Sequence, residues 1–149
     1  MASPASFQHE DIQSFLLMTL GFFVESKQLG KVMGPNTAYR LSEENVFQPD
    51  VSFISRERLH LAEKVYYFPG PPDIAVEITS PSSRQYDEIE KKINYGRYGV
   101  KEYWLIDLLS NQANFYTQRE GQLIPIEAEA GALISCTPIS PFGPLYLTN

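Results

Sequence analysis

The run Asp73-Ile-Ala-Val-Glu-Ile-Thr79 sets a carboxylate, Glu77, inside a stretch that otherwise has the pattern of a buried strand. With a period of two, Ile74, Val76 and Ile78 fall on one face, and Asp73, Ala75, Glu77 and Thr79 on the other. Both faces are mostly apolar, which predicts a sheet covered on both sides, as parallel and mixed sheets are. A carboxylate there costs desolvation free energy unless it is protonated, paired or metal-bound. A second acid, Asp50, stands at the mouth of another apolar strand, Val51-Ser-Phe-Ile54. Two acids at strand ends, followed by a lysine-bearing helix, are the ingredients of a divalent-metal site that hydrolyses phosphodiesters. An acid inside a strand also serves as the partner of a buried Arg or Lys. Arg84 and Arg97 are the candidates for that structural role.

These residues need elements to hold them. Apolar residues Phe7, Ile12, Phe15, Leu16, Met18, Leu20, Phe22 and Phe23 predict a helix from Ser6 to about Lys27 with a broad apolar face, stopped by Gly30. Two strands, Lys31–Leu41 and Val46–Ile54, are expected around the polar turn Ser42-Glu-Glu-Asn45, then a short helical turn over Arg56–Lys64. Phe68-Pro-Gly-Pro-Pro72 predicts a loop without regular structure. After the Glu77 strand, Ser80-Pro-Ser-Ser83 offers caps for a helix from about Arg84 to Tyr98, which Gly99 ends. Glu102–Asp107 predicts a strand paired through a short connection with Ala113–Gln118. Beyond Gln122, Pro125, Pro138, Pro141 and Pro144 predict an irregular tail. The order helix–strand–strand–strand–helix–strand–strand describes a small α/β fold with a mixed sheet, expected as one domain over residues 1–149.

Composition narrows the function. Hydrophobic residues at 43% and aromatic residues at 13% are globular values and exclude a disordered or fibrous chain. No apolar run nears the roughly 20 residues that span a bilayer, and no basic segment precedes an apolar one at the start. One cysteine, Cys136, excludes an internal disulfide and a cysteine-rich zinc site. Cytoplasmic residence and no membrane partner are expected. Twelve basic against eighteen acidic residues give a net charge of −6, which counts against broad cationic binding of nucleic acid. The cations are clustered, however: Arg84, Lys91, Lys92, Arg97 and Lys101 follow the Glu77 strand, and Arg56, Arg58 and Lys64 follow the Asp50 strand. No phosphate-binding loop or serine triad is present.

Pro49-Asp50-Val-Ser-Phe53, Asp73-Ile-Ala-Val-Glu77-Ile-Thr-Ser-Pro-Ser82, and Lys91-Lys-Ile-Asn-Tyr95 through Glu102-Tyr-Trp104-Leu-Ile-Asp107 resemble the Uma-type family of putative restriction endonucleases. That family lies within the PD-(D/E)XK nuclease superfamily. The resemblance runs from about Ser3 to Tyr116, with Ser3-Pro4 and His9 similar to the family's Ser-Pro and His before its first long helix. It implies a restriction-endonuclease-like core, a mixed central sheet flanked by helices, and a metal-dependent endonuclease acting on DNA.

The resemblance also implies roles. Asp50 and Glu77 match the two metal-binding acids; the Ile78 carbonyl would add a third ligand to Mg²⁺ or Mn²⁺. The superfamily lysine belongs two residues after the second acid, where this chain has Thr79. The family pattern moves it to the next helix, at Lys91. Arg84 would touch the phosphate backbone. Relatives usually carry a further segment, with an acidic Glu-Leu-Ile-like run, ahead of the point where this chain begins.

Bland readings stand beside these roles. Asp87 with Lys91 and Glu88 with Lys92 are i,i+4 acid–base pairs of a solvated helix. Asp73 lies four residues from Glu77, about 13 Å along a strand and too far to share a metal. Asp107 would anchor its following turn; His9 and His60 are isolated; Tyr95, Tyr98 and Tyr103 are expected to pack. Thr79 and the acidic charge suit a second reading, a catalytically silent module that keeps the nuclease fold. Cleavage of both strands would need two sites, which favours a homodimer.

Overall fold

The computed structural model describes residues 5–63, 65–79 and 86–126, with the side chains of 86–88 excepted. Arg84, Cys136, the Ser80–Ser83 caps and the proline-rich tail lie outside the described residues.

Helix α1 spans Phe7–Ser26, and the Ser6 hydroxyl caps it by accepting from the His9 amide at 3.2 Å. Among the described residues nine strands follow: β1 Gly30–Met33, β2 Tyr39–Arg40, β3 Val46–Phe47, β4 Val51–Ser55, β5 Phe68–Pro69, β6 Ile74–Thr79, β7 Glu102–Asp107, β8 Gln112–Arg119 and β9 Gln122–Pro125. A 3-10 turn covers Arg56–Ala62 between β4 and β5. A π-helical turn, Tyr86–Lys91, leads into helix α2, Lys92–Tyr98, which Gly99 closes in the left-handed conformation at φ 89°.

Six strands form one sheet in the order β1-β4-β6-β7-β8-β9. Only β6 and β7 run parallel; every other neighbouring pair is antiparallel. The expected mixed sheet is present, and β6 lies inside it with all six residues buried. The predicted alternation holds. Ile74 and Val76 join Val51, Phe53, Trp104 and Phe115 in a core under Leu20 and Val24 of α1. Ala75 joins Tyr103, Leu105 and Leu123 on the opposite face, packed against Tyr95 of α2. Helices therefore cover both faces.

Four expectations need correcting. The two long strands around Ser42–Asn45 are broken: β2 and β3 pair briefly across that turn, while β1 and β4 pair in the main sheet. Gly34-Pro35 and Pro49 interrupt them, because proline has no amide hydrogen for a ladder. The proline loop contains a strand, since β5 pairs in parallel with β2 at the edge of a three-stranded sheet. The tail begins with β9, which extends the main sheet. Gly30 is needed for a close approach rather than for stopping α1. It opens β1 at φ 153°, and a Cβ there would sit 2.0 Å from the Ile54 carbonyl oxygen.

Candidate active site

The register of β4 on β6 brings the two acids together. Val51 faces Val76 in the last pair of that ladder, and the next positions along it are Asp50 and Glu77. The Ile78 amide donates to Asp50 Oδ2 at 2.8 Å, so the acid at the mouth of β4 is fastened to the strand that carries the other acid. Helix α1 reaches Asp50 from a second direction. His9 Nε2 lies 3.3 Å from Asp50 Oδ1, and Gln13 Nε2 donates to the Asp50 carbonyl at 3.1 Å. His9 and Gln13 are one helical turn apart and so share a side of α1.

Glu77 is 2% exposed. The Lys91 ammonium donates to its Oε2 at 2.8 Å, and the Tyr95 hydroxyl donates to its Oε1 at 2.9 Å. Lys91 closes the π-helical turn and Tyr95 lies in α2, four residues on, so both side chains descend on the same carboxylate. Lys92 turns elsewhere, its ammonium 3.9 Å from the centre of the Tyr116 ring. The Thr79 hydroxyl donates to the Ile106 carbonyl at 3.3 Å and is buried within the sheet.

The structure thus brings Asp50, Glu77, Ile78 and Lys91 to one place. Sequence reasoning missed three further members. Tyr95 was expected only to pack, yet its hydroxyl holds Glu77. His9 had the family's Ser-Pro and His as a signal, but nothing local pointed it at Asp50. Gln13 had no signal at all.

Asp107 at the end of β7 and Asp73 just ahead of β6 do structural work, as expected. Asp107 accepts from the Leu109 and Ser110 amides and from the Ser110 hydroxyl, which anchors the turn after β7. Asp73 lies at the start of β6, against Lys101 at 2.8 Å, Arg58 at 3.1 Å and the Ser55 amide at 2.8 Å. Burial pushes the Asp73 carboxyl up, but the bonds from Lys101 and Ser55 and the two cations outweigh it and hold the group below its usual 3.8. Arg58 and Lys101, which the sequence grouped with the acids of the site, therefore serve the other end of β6. Nearby, burial raises the Tyr39 hydroxyl from 10.0 to about 12, although its bond to Ser52 works in the opposite sense.

Two carboxylates opposed across neighbouring strands are hard oxygen donors of the kind Mg²⁺ prefers. Among the described residues, no group of three or more His, Cys, Asp or Glu side chains is gathered for a metal. The donor set suits an ion that keeps waters and takes oxygens from its substrate, and is unlike an all-protein cage.

The Uma2 family, described as putative restriction endonuclease, matches residues 1–144. The chain belongs to that family. A crystal structure of a putative nuclease belonging to DUF820 from Anabaena variabilis is similar to this Uma2 chain with a TM-score of 0.76 at 19% identity. The likeness covers 98% of this chain and 82% of that one, and shows the restriction-endonuclease-like fold. A search of curated protein sequences finds no match. Among the described residues of this Uma2 chain, no helix is long and apolar enough to cross a membrane.

Proposed function

We propose that this chain is a metal-dependent endonuclease that hydrolyses phosphodiester bonds of DNA. Family membership supports nuclease chemistry, and one observation carries the finer reading: Asp50 and Glu77 lie opposite in register, with Lys91 on Glu77 at 2.8 Å. Asp50 and Glu77 would hold Mg²⁺ or Mn²⁺, with the Ile78 carbonyl as a further oxygen. When bound, the ion would lower the pKa of a coordinated water and neutralise charge on the phosphate.

The chain's own residues do the rest. Lys91 brings a positive charge to the site, where it orients the attacking water or stabilises the phosphate in the transition state. Its four-carbon stem supplies from a helix the ammonium that Thr79 does not supply from the strand. Tyr95 fixes the Glu77 carboxylate, and the Ile78 amide and His9 fix Asp50. Arg84 would contact the DNA backbone. Cleavage of both strands would take a homodimer, one site for each strand, and the reaction belongs in the cytoplasm.

A second reading keeps the fold and drops the chemistry. It draws on Glu77 being held at both oxygens by Lys91 and Tyr95, as a structural ion pair would be. Supercoiled plasmid incubated with Mg²⁺ or Mn²⁺ separates the two. The nuclease reading expects nicked and linear products that disappear with chelator. Folded protein that leaves the plasmid intact with either metal would favour the silent module.

A further inference from the structure

The His9 imidazole sits largely inside the protein, its side chain 14% exposed. Its Nδ1 is buried and finds no hydrogen-bond partner; the nearest carboxylate oxygen on that side, Glu10 Oε1, is 3.7 Å away. Its Nε2 lies 3.3 Å from Asp50 Oδ1. A charged N–H···O bond closes to about 2.7–2.9 Å, so ring and carboxylate stand side by side without a full bond between them. Another relation fits that spacing. Two donors bound at right angles to one ion, each at about 2.0–2.2 Å, stand roughly 3 Å apart.

We infer that His9 Nε2 is a nitrogen ligand beside Asp50, and that the site therefore takes a first-row transition-metal dication in preference to Mg²⁺. The inference rests on the metal-dependent reading above and decides which ion that reading needs. Asp50 Oδ2 is tied to the Ile78 amide at 2.8 Å, which leaves Oδ1, the oxygen on the His9 side, for an ion. Among the described residues no three side-chain donors are gathered in advance. His9 and Asp50 are the preformed half of the set, and Glu77 completes it from the neighbouring strand.

Helix α1 makes the pair rigid. Gln13, buried one turn after His9, donates to the Asp50 carbonyl at 3.1 Å, so one helix holds the ring and the backbone of the acid in a single frame. The choice of ion follows from the donor. Mg²⁺ takes oxygens and gives up its waters reluctantly. Imidazole suits transition metals, whose affinity for a given site rises from Mn²⁺ through Co²⁺ to Ni²⁺. One nitrogen among oxygens thus strengthens the hold on such ions more than the hold on Mg²⁺.

Pulsed electron paramagnetic resonance of the full chain loaded with Mn²⁺ tests this without cleavage. Wild type is expected to show the nitrogen coupling of a directly bound imidazole, and His9→Ala to lack it. Calorimetry with Mn²⁺, Co²⁺ and Mg²⁺ gives the second arm. Losing even a partner of a ligand costs about 10–100-fold in metal affinity, so His9→Ala should weaken Mn²⁺ and Co²⁺ at least tenfold and Mg²⁺ by a smaller factor. Circular dichroism checks that the variants fold. Mn²⁺ bound to wild type without nitrogen coupling overturns the inference and leaves the nuclease reading standing. Wild-type Mn²⁺ and Co²⁺ affinity in His9→Gln also overturns it, because that amide can hold Asp50 but offers no imidazole. Wild-type protein that binds none of the three ions removes the metal reading itself, and the role of His9 with it.

Discussion

The Tyr95 hydroxyl donates to Glu77 Oε1 across 2.9 Å, with both residues almost wholly inside the protein. A buried carboxylate gains from each hydrogen bond to its charged form, and such bonds are worth about 1.5–3 kcal/mol. Tyr95→Phe keeps the ring, which stacks at a tilt between Phe47 and Tyr103, and removes only the bond. The variant should lose about 1.5–3 kcal/mol in urea unfolding. If Tyr95 positions Glu77, cleavage should lose kcat more than it gains KM, which plasmid-nicking kinetics would resolve.

Asp50→Asn and Glu77→Gln should each abolish Mn²⁺ binding, measured by titration calorimetry. Their stabilities should differ from one another. Repulsion between two acids would make neutralisation of either one mildly stabilising. In the folded chain, though, Glu77 balances the Lys91 ammonium, on a side chain that is only 16% exposed. Glu77→Gln is therefore expected to cost about 1–3 kcal/mol, the penalty for weakening a buried charged pair. Unchanged metal affinity in both variants would dismantle the site.

Lys91 and Lys92 are neighbours with different fates. Lys91→Met should remove cleavage while largely sparing Mn²⁺ affinity, because in the proposed mechanism its charge serves the phosphate and the water. Lys92→Met should cleave normally and lose about 0.5–1 kcal/mol of stability, the worth of an ammonium over a half-buried aromatic ring near the surface. Equal loss of cleavage in the two variants would remove Lys91 from its role.

Stability should fall at both extremes of pH, for reasons placed away from the site. The Asp73 carboxyl is held below 3.8 in the folded chain, so its contribution is complete above that pH and disappears as pH drops through the lower folded value. Tyr39 runs the other way. Its hydroxyl is raised from 10.0 to about 12, so its neutral form stabilises the fold below pH 10 and that contribution is lost between pH 10 and 12. Thermal melts across pH 2–12 should show both limbs. Tyr39→Phe should flatten the alkaline limb, and Asp73→Asn the acid one. Asp73→Asn should also cost about 1–3 kcal/mol at neutral pH, by weakening the charged hydrogen bonds that the buried carboxylate accepts.

What the sequence made legible here had short range. Period-two alternation placed Glu77 in a buried strand because β6 is covered on both sides. The family pattern singled out Lys91 from its neighbour Lys92, and the two side chains do diverge around the axis. Trp104, mid-way along the apolar strand read from Glu102 to Asp107, lies in the core, its indole donating to Glu102 at 3.2 Å. The opposition of Asp50 to Glu77 depends on which strands neighbour each other, and a strand's own pattern does not state that. His9 reaches Asp50 over 41 positions of chain and Gln13 over 37. Such contacts follow from the angle at which α1 crosses the sheet. Tyr95 was hidden differently: a tyrosine's ring and hydroxyl can serve a core and a site together, and its position in the sequence reveals only the ring. The three-stranded sheet was concealed by proline, which argued against β5 although the edge it occupies tolerates a missing donor.

The ion pairs at the two ends of β6 act on the same piece of backbone. Asp73 is held by Arg58 and Lys101 at one end, and Glu77 by Lys91 and Tyr95 near the other. A strand gripped at two points cannot slide. A shift by one residue would turn both carboxylates onto the wrong face, and a shift by two would carry each beyond its partners. Repacking around β6, or traffic of a large substrate past its Glu77 end, thus meets a strand pinned like a ruler at both ends. Loosening the Arg58 pin, some 13 Å from Glu77 by strand rise, is a way to blur the site without touching any residue in it.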